Sequence, residues 1–426
     1  MRRVAVTGIG LATAVGIGVE ATWRGLVEGR SGVRRIESFD PSALSTQLGG
    51  EIRNFAPGAF VTNRRTLRMT TRNDQLAIAG AMLAITDSGL DPAALDGNRT
   101  GLFVGGNKET SDPARVEEAC LSVRNEDGTV NMLRFGEVAQ SLVYPLFYVE
   151  GLQAASLFYI SEAFSLKGVN SYFAGTADAG ATAIGRGYRA IRRGEADVIL
   201  AGGFDDAVNS WKLGGWDTLG ILTTRNELGP AACRPYDRDR TGTVLGEAAA
   251  FLVLEDHERA VKRNARMYAE ICGYGSGLDV EGVLTPDPKG RALALAMEAA
   301  LREAGATPDA VQYVASHGSG TRRGDASEAR AIRSVFGSSA DRLMASSVKA
   351  AVGHTVAAAG ALNAAVAALA VHHSLAPPTL NLEHPDPACR LDWIPGTPRE
   401  ATIDHALALA RGLEGQNVAL ALRAIR

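Results

Sequence analysis

The sequence predicts an α/β fold of two similar halves, residues 1–255 and 256–426, with helices layered on both faces of mixed, mostly parallel sheets. Three observations predict it. Short continuous apolar runs bounded by glycine, such as VILAGG at 198–203, read as strands buried on both faces. Two stretches made almost wholly of small or apolar residues, Ala177–Tyr188 and VAAAGALNAAVAALAVHH at 356–373, read as central helices, because a surface helix keeps a polar face. Each follows a candidate catalytic turn, so one unit recurs in each half.

In chain order, VAVTG opens the first strand, a helix lies near 20–28, and a polar stretch runs through 41–63. A helix over 72–88 and the strand GLFVGG follow. Residues 108–144 are charged and irregular, as suits an insertion on a rigid scaffold. PLFYVEGLQAASLFYISEAF, at 145–164, reads as one apolar, aromatic-rich helical stretch. Its aromatics Phe147, Tyr148, Phe158 and Tyr159 suit core or subunit-interface packing, with the wall of a tunnel as the functional alternative. The charged loop RPYDRDRTG then leads into the strand AAFLVLE. The second half repeats the scheme: helix HERAVKR, strand MYAEICGYG, helix GRALALAMEAALREAG, strand VQYVASHG, helix DASEARAIRSVFG and strand LMASSVKA. The second small-residue helix and a last strand, NVALALRAI, complete it.

Composition narrows the function classes. A net charge of −3 over 426 residues and the lack of a basic face argue against a nucleic-acid partner. Cys120, Cys233, Cys272 and Cys389 are scattered without C-x-x-C or Cys/His pairing, so neither a metal site nor a disulfide framework is expected, and a reducing cytoplasm is. The N-terminal apolar run is interrupted by glycines and lacks a clear cleavage site, so it reads as a strand and turn rather than a signal peptide. No run is expected to approach the roughly 18 uncharged apolar residues of a membrane helix, which leaves no membrane partner. Gly8-Ile9-Gly10 is no dinucleotide fingerprint, since Thr13 stands where the third glycine belongs.

The stretch from Ser171 to Asp205 carries the central chemical clue. A strand, a tight turn permitted by Gly175 and Gly180, and the start of a buried helix make a seat for a nucleophile, because free N–H groups and the helix dipole stabilise a thiolate or an oxyanion. The seat holds Ala177, Asp178 and Ala179, and no nucleophile.

This stretch resembles the β-ketoacyl-ACP synthases, in which a cysteine stands in A-C-x-x-G, three residues before the glycine matching Gly180. Ala177 takes the cysteine's place. YVASHGSGTRRGDASEA is similar to Y-V-x-x-H-G-T-x-T-x-x-G-D-x-x-E, and SSVKAAVGHTVAAAGA to S-x-K-x-x-x-G-H-x-x-x-A-A-G. The resemblance makes His317 and His354 catalytic candidates: as neutral imidazoles they would donate hydrogen bonds to the enolate formed when malonyl loses carbon dioxide. It places Lys349 behind them as an electrostatic support, and it assigns Ser319 and Thr321 to the pantetheine arm of acyl carrier protein. Asp325 and Glu328 would orient the site through buried polar contacts. RPYDRDRTGTVLGEAAA carries the family's Arg234, Asp237, Arg240, Gly242 and Glu247, with alanines at two glycine positions. The resemblance spans essentially the whole chain and implies a thiolase-like duplicated fold, no bound cofactor, and action with the phosphopantetheine arm of the carrier protein.

The final loop departs from the family. Where N-S-F-G-F-G-G-T-N is usual, the chain has LARGLEGQN at 409–417, with Arg411 and Leu413 replacing both aromatics and Glu414 replacing a glycine. The backbone N–H of Leu413 would complete the family's oxyanion hole, and a carboxylate beside it opposes that charge. This form resembles the chain-length factors of type II polyketide synthases, subunits of antibiotic biosynthesis that lack the nucleophile, pair with an active ketosynthase as a heterodimer and shape its product tunnel. Two alternatives stand beside that reading: a malonyl-ACP decarboxylase supplying acetyl starters, and a ketosynthase whose cysteine has been changed to alanine.

Overall fold

The computed structural model describes residues 1–61, 63–108, 113–143 and 146–425. Its principal elements begin with β1 (Val4–Thr13), α1 (Arg72–Ser88), β2 (Thr100–Gly106), β3 (Asn170–Ala174), α2 (Ala179–Arg192), β4 (Val198–Asp206) and β5 (Leu245–Asp256). There follow β6 (Ala269–Leu278), α3 (Arg291–Ala304), β7 (Tyr313–Ala315), α4 (Arg322–Phe336), β8 (Met344–Ser346), α5 (Ala359–His373), β9 (His405–Arg411) and β10 (Gln416–Arg423).

The strands run in the order β3-β2-β4-β5-β1-β6-β10-β9-β7-β8, joined in the middle by the antiparallel pair β1–β6. Outward from β1, the pairs with β5 and then β4 are antiparallel, and those with β2 and β3 are parallel. Outward from β6 the same sequence recurs through β10, β9, β7 and β8. The repeated run of strands and helices seen in the sequence is thus a repeated topology.

The two small-residue helices meet between the flanks. α2 packs on β2 and β4, α5 packs on β9 and β5, and the two touch each other. A Cβ on Gly180 would lie 2.9 Å from both the Ala357 carbonyl oxygen and the Ala361 Cβ, and one on Gly360 would lie 2.6 Å from the Ala177 carbonyl oxygen. Only glycine permits that approach. Outside, α1 covers β1, β5 and β4, and α3 covers β6 and β10. A buried ion pair, Asp205 with Lys212 at 2.6 Å, fixes the start of α5, because the other Asp205 oxygen accepts from the Ala357 N–H at 3.1 Å.

Four expectations are corrected. The stretch expected to be irregular contains the helices Pro113–Ser122 and Met132–Leu142, so its charge marks solvated helix faces rather than loop. The aromatic stretch is two helices, Phe147–Glu150 and Ala155–Phe164, divided by residues 151–154; Pro145 and Tyr144 lie outside the described residues. The final loop read over 409–417 starts later, since Leu409–Arg411 end the strand β9, HALALAR, which the sequence does not signal because alternating Ala and Leu carry little strand propensity. Finally, the 18 residues Val356–His373 are long and apolar enough by composition to span a membrane, and 89% of them are buried in the protein core.

Candidate active site

His317 follows β7 and is held through its backbone. The Glu328 carboxylate, on α4, accepts from the N–H groups of His317 at 2.7 Å and Gly318 at 2.8 Å, and from the Tyr236 hydroxyl at 2.8 Å. Asp325, one turn earlier, accepts from the N–H groups of Tyr236 at 2.8 Å and Gly320 at 3.1 Å and pairs with Arg240 at 3.3 Å. Burial pushes the Asp325 carboxyl up to about 6, against the pull of Arg240. The Lys349 ammonium donates to the His317 carbonyl oxygen, and burial pushes it down to about 8. Both acids and the lysine therefore shape the chain around His317 instead of facing the cavity.

His354 comes from the turn that leads into α5. Its Nδ1 accepts from the Val356 N–H at 3.1 Å. Val356 is β-branched yet sits at φ 38°, a strained conformation of the kind that accumulates at functional sites. His317 Nδ1 faces the Arg411 N–H at 3.4 Å. Burial, followed by the Lys349 charge, holds both imidazoles well below the usual histidine range, so both are neutral. With Nδ1 accepting in each ring, the proton rests on Nε2. His317, His354, Ser319, Thr321 and Leu413 line one cavity of about 630 Å³. Two neutral N–H donors can there converge on one oxygen as it gains negative charge.

The seat at 177 is differently furnished. Ala177 is buried ahead of α2, and its carbonyl oxygen accepts from the Gly360 N–H at 3.1 Å. The Leu413 N–H donates to the Thr176 hydroxyl oxygen at 2.8 Å, and that hydroxyl donates to Glu414 at 3.1 Å. Burial, and further the charge of Glu414, pushes the Asp178 carboxyl up to about 6. Arg411 is buried, pairs with Asp279 at 3.1 Å and donates to the Gly324 carbonyl oxygen at 3.2 Å.

The remaining expected residues lie elsewhere. Glu247 accepts from the Ile52 N–H at 2.7 Å and from Arg72 at 2.8 Å, so it clamps the start of α1 and does not line the cavity. Tyr159 is buried with its hydroxyl on the Met69 carbonyl oxygen at 3.1 Å, which makes it a core residue and not a tunnel wall. Tyr148 and Phe158 are exposed, and Phe147 is half-buried. The Ala155–Phe164 helix packs on β2 and β3, and β3 is the end strand of the sheet among the described residues. Sequence reasoning missed Thr176, although it stands at the alanine of A-C-x-x-G. It also missed Trp216, which meets the His354 ring edge-on at 5.8 Å and carries no motif, and the exposed Arg322 and Arg323 at the cavity wall.

A duplicated α/β fold that brings two neutral histidines to the head of its central helices defines the thiolase-like condensing scaffold. The chain belongs to the β-ketoacyl synthase family: residues 1–260 match its N-terminal domain and residues 268–383 its C-terminal domain. It is 36% identical over 421 residues to the 3-oxoacyl-[acyl-carrier-protein] synthase 2 of Coxiella burnetii, covering 99% of this chain and 98% of that one. Among solved structures it resembles the ishigamide ketosynthase/chain length factor, at 31% identity and a TM-score of 0.88. It also resembles a chain from a type II PKS acyl-carrier protein complex with its ketosynthase bound to the hexaketide, at 30% identity and a TM-score of 0.88. Both likenesses cover 100% of each chain.

Proposed function

We propose that this chain is a chain-length-factor-like subunit, without a nucleophile of its own, that pairs with an active ketosynthase to elongate carrier-bound polyketide chains in the cytoplasm. One observation carries the reading: at the seat where the family holds its cysteine there is a methyl group, and the Leu413 N–H beside it is already bonded to Thr176. A thiol swapped for alanine by design accounts for Ala177 alone and leaves Arg411 and Glu414 unexplained. The end position of β3 in the sheet and the exposed Phe158 on the helix that packs against it support a partner ketosynthase at that face. Ser319, Thr321 and the exposed arginines at 322 and 323 suit the hydroxyl-rich, phosphate-bearing arm of acyl carrier protein.

A second reading rests on the histidine pair. Decarboxylation of a malonyl thioester breaks a carbon–carbon bond, releases carbon dioxide and leaves an enolate that takes up a proton, and no thiol takes part. His317 and His354 are furnished for that step. The test purifies the chain alone, a co-encoded ketosynthase alone and the two together, and supplies malonyl-ACP to each. Elongation only in the joint preparation supports the subunit reading. Elongation by the partner alone, with the same rate and product length, overturns it. Acetyl-ACP from the isolated chain, lost on His317→Ala or His354→Ala, favours the decarboxylase.

A further inference from the structure

We propose that Thr176 and Glu414 form a latch that occupies the Leu413 backbone donor at the cavity wall, so that the chain is disabled twice, by the missing thiol and by an occupied backbone donor. The inference rests on the reading of position 177 as a vacated nucleophile seat. An acyl group transferred there would develop its negative oxygen next to the Leu413 N–H. That N–H is spent on the Thr176 hydroxyl oxygen at 2.8 Å. The hydroxyl has one proton to give, and gives it to Glu414 at 3.1 Å, which fixes its oxygen as an acceptor toward Leu413.

The surroundings reinforce the block. Among the described residues, Asp178 Oδ1 and Gln416 Oε1 are both buried without a hydrogen-bond partner, and they face Gly412: a Cβ there would lie 2.5 Å from the first and 2.8 Å from the second. With Glu414, three acceptor groups surround the Gly412–Leu413 peptide, and a developing oxyanion would be repelled by them. The latch leaves the histidines free, since their partners are Arg411 and Val356. The cavity therefore keeps donors for an enolate and lacks one for acyl transfer.

Restoring the thiol alone should consequently fail. In an Ala177→Cys variant able to react, the introduced sulfur would form a bond to the acyl carbonyl carbon, the bond from that carbon to the pantetheine sulfur would break, and the pantetheine thiol would leave with the proton of the introduced thiol. The experiment compares Ala177→Cys with the same change combined with Thr176→Ala and Glu414→Gly, and with a milder version carrying Thr176→Val. Each is incubated with octanoyl-ACP and followed by intact-mass spectrometry. Iodoacetamide alkylation of the introduced thiol reports whether it is reachable, which the latch does not control.

Opening the latch should raise acylation by roughly a hundredfold, the scale of one oxyanion donor, while alkylation changes little. Equal acylation rates with and without the latch overturn the proposal. So does a lack of acylation in every variant when the introduced thiol is alkylated, because the block then lies elsewhere. If that thiol is unreachable in all variants, the seat reading itself falls, and the latch with it. None of these outcomes depends on the partner ketosynthase, so they are separable from the elongation test.

Discussion

The rings of His317 and His354 meet edge to face, with centroids 5.3 Å apart and planes at 75°, and each presents Nδ1 to a backbone N–H of a different segment. Those segments, the end of β9 and the turn entering α5, are brought together where α5 packs on β9 and against α2. The pair is thus an outcome of the duplicated topology, and its protonation follows from its depth.

That depth sets the response to pH. Both folded values lie well below the ordinary histidine value, so below about 6.5 the unfolded chain binds protons that the folded chain refuses. Their contribution to stability is present above that pH and is lost as pH falls. Between about pH 7.5 and pH 5 the native protein should lose more melting temperature than a His317→Gln/His354→Gln variant. Imidazole NMR at about pH 6 should report neutral Nε2–H tautomers for both rings. Imidazolium signals there would contradict the assignment.

Lys349 acts on His317 from behind, through its carbonyl oxygen. Replacing it with methionine keeps the bulk, strands that carbonyl and should cost about 1–3 kcal/mol in denaturant unfolding. Removal of the buried cation should also raise the His317 pKa toward its ordinary value. An NMR titration in which His317 stays where it was would show that burial alone depresses it.

Neighbouring aromatics on one helix should behave differently. Tyr159 is 3% exposed and Phe158 is 63% exposed. Tyr159→Ala should cost about 3–5 kcal/mol by opening a cavity beneath α1, whereas Phe158→Ala should leave the fold of the chain unchanged. If Phe158 meets a partner ketosynthase, its loss should appear as weaker association in sedimentation analysis. Comparable destabilisation of the isolated chain by both changes would reject the division.

The sequence by itself determined the α/β class, the repeated order of strands and helices and the two buried small-residue helices. It also determined the positions of His317, Lys349 and His354. These are carried by local signals, apolar runs, glycine turns and fixed spacings, which survive without knowledge of distant contacts. β9 escaped because alternating Ala and Leu gain strand character only from the neighbours on either side. The tertiary structure alone decided that Glu247 serves α1, that Tyr159 is core while Phe158 is surface, and which nitrogen of each imidazole carries its proton. It alone joined Thr176 to Leu413 and Glu414, residues more than two hundred positions apart. Hydrogen bonds of such separation leave no periodicity in a chain; they exist only after α2 and the β9–β10 loop have been packed against each other.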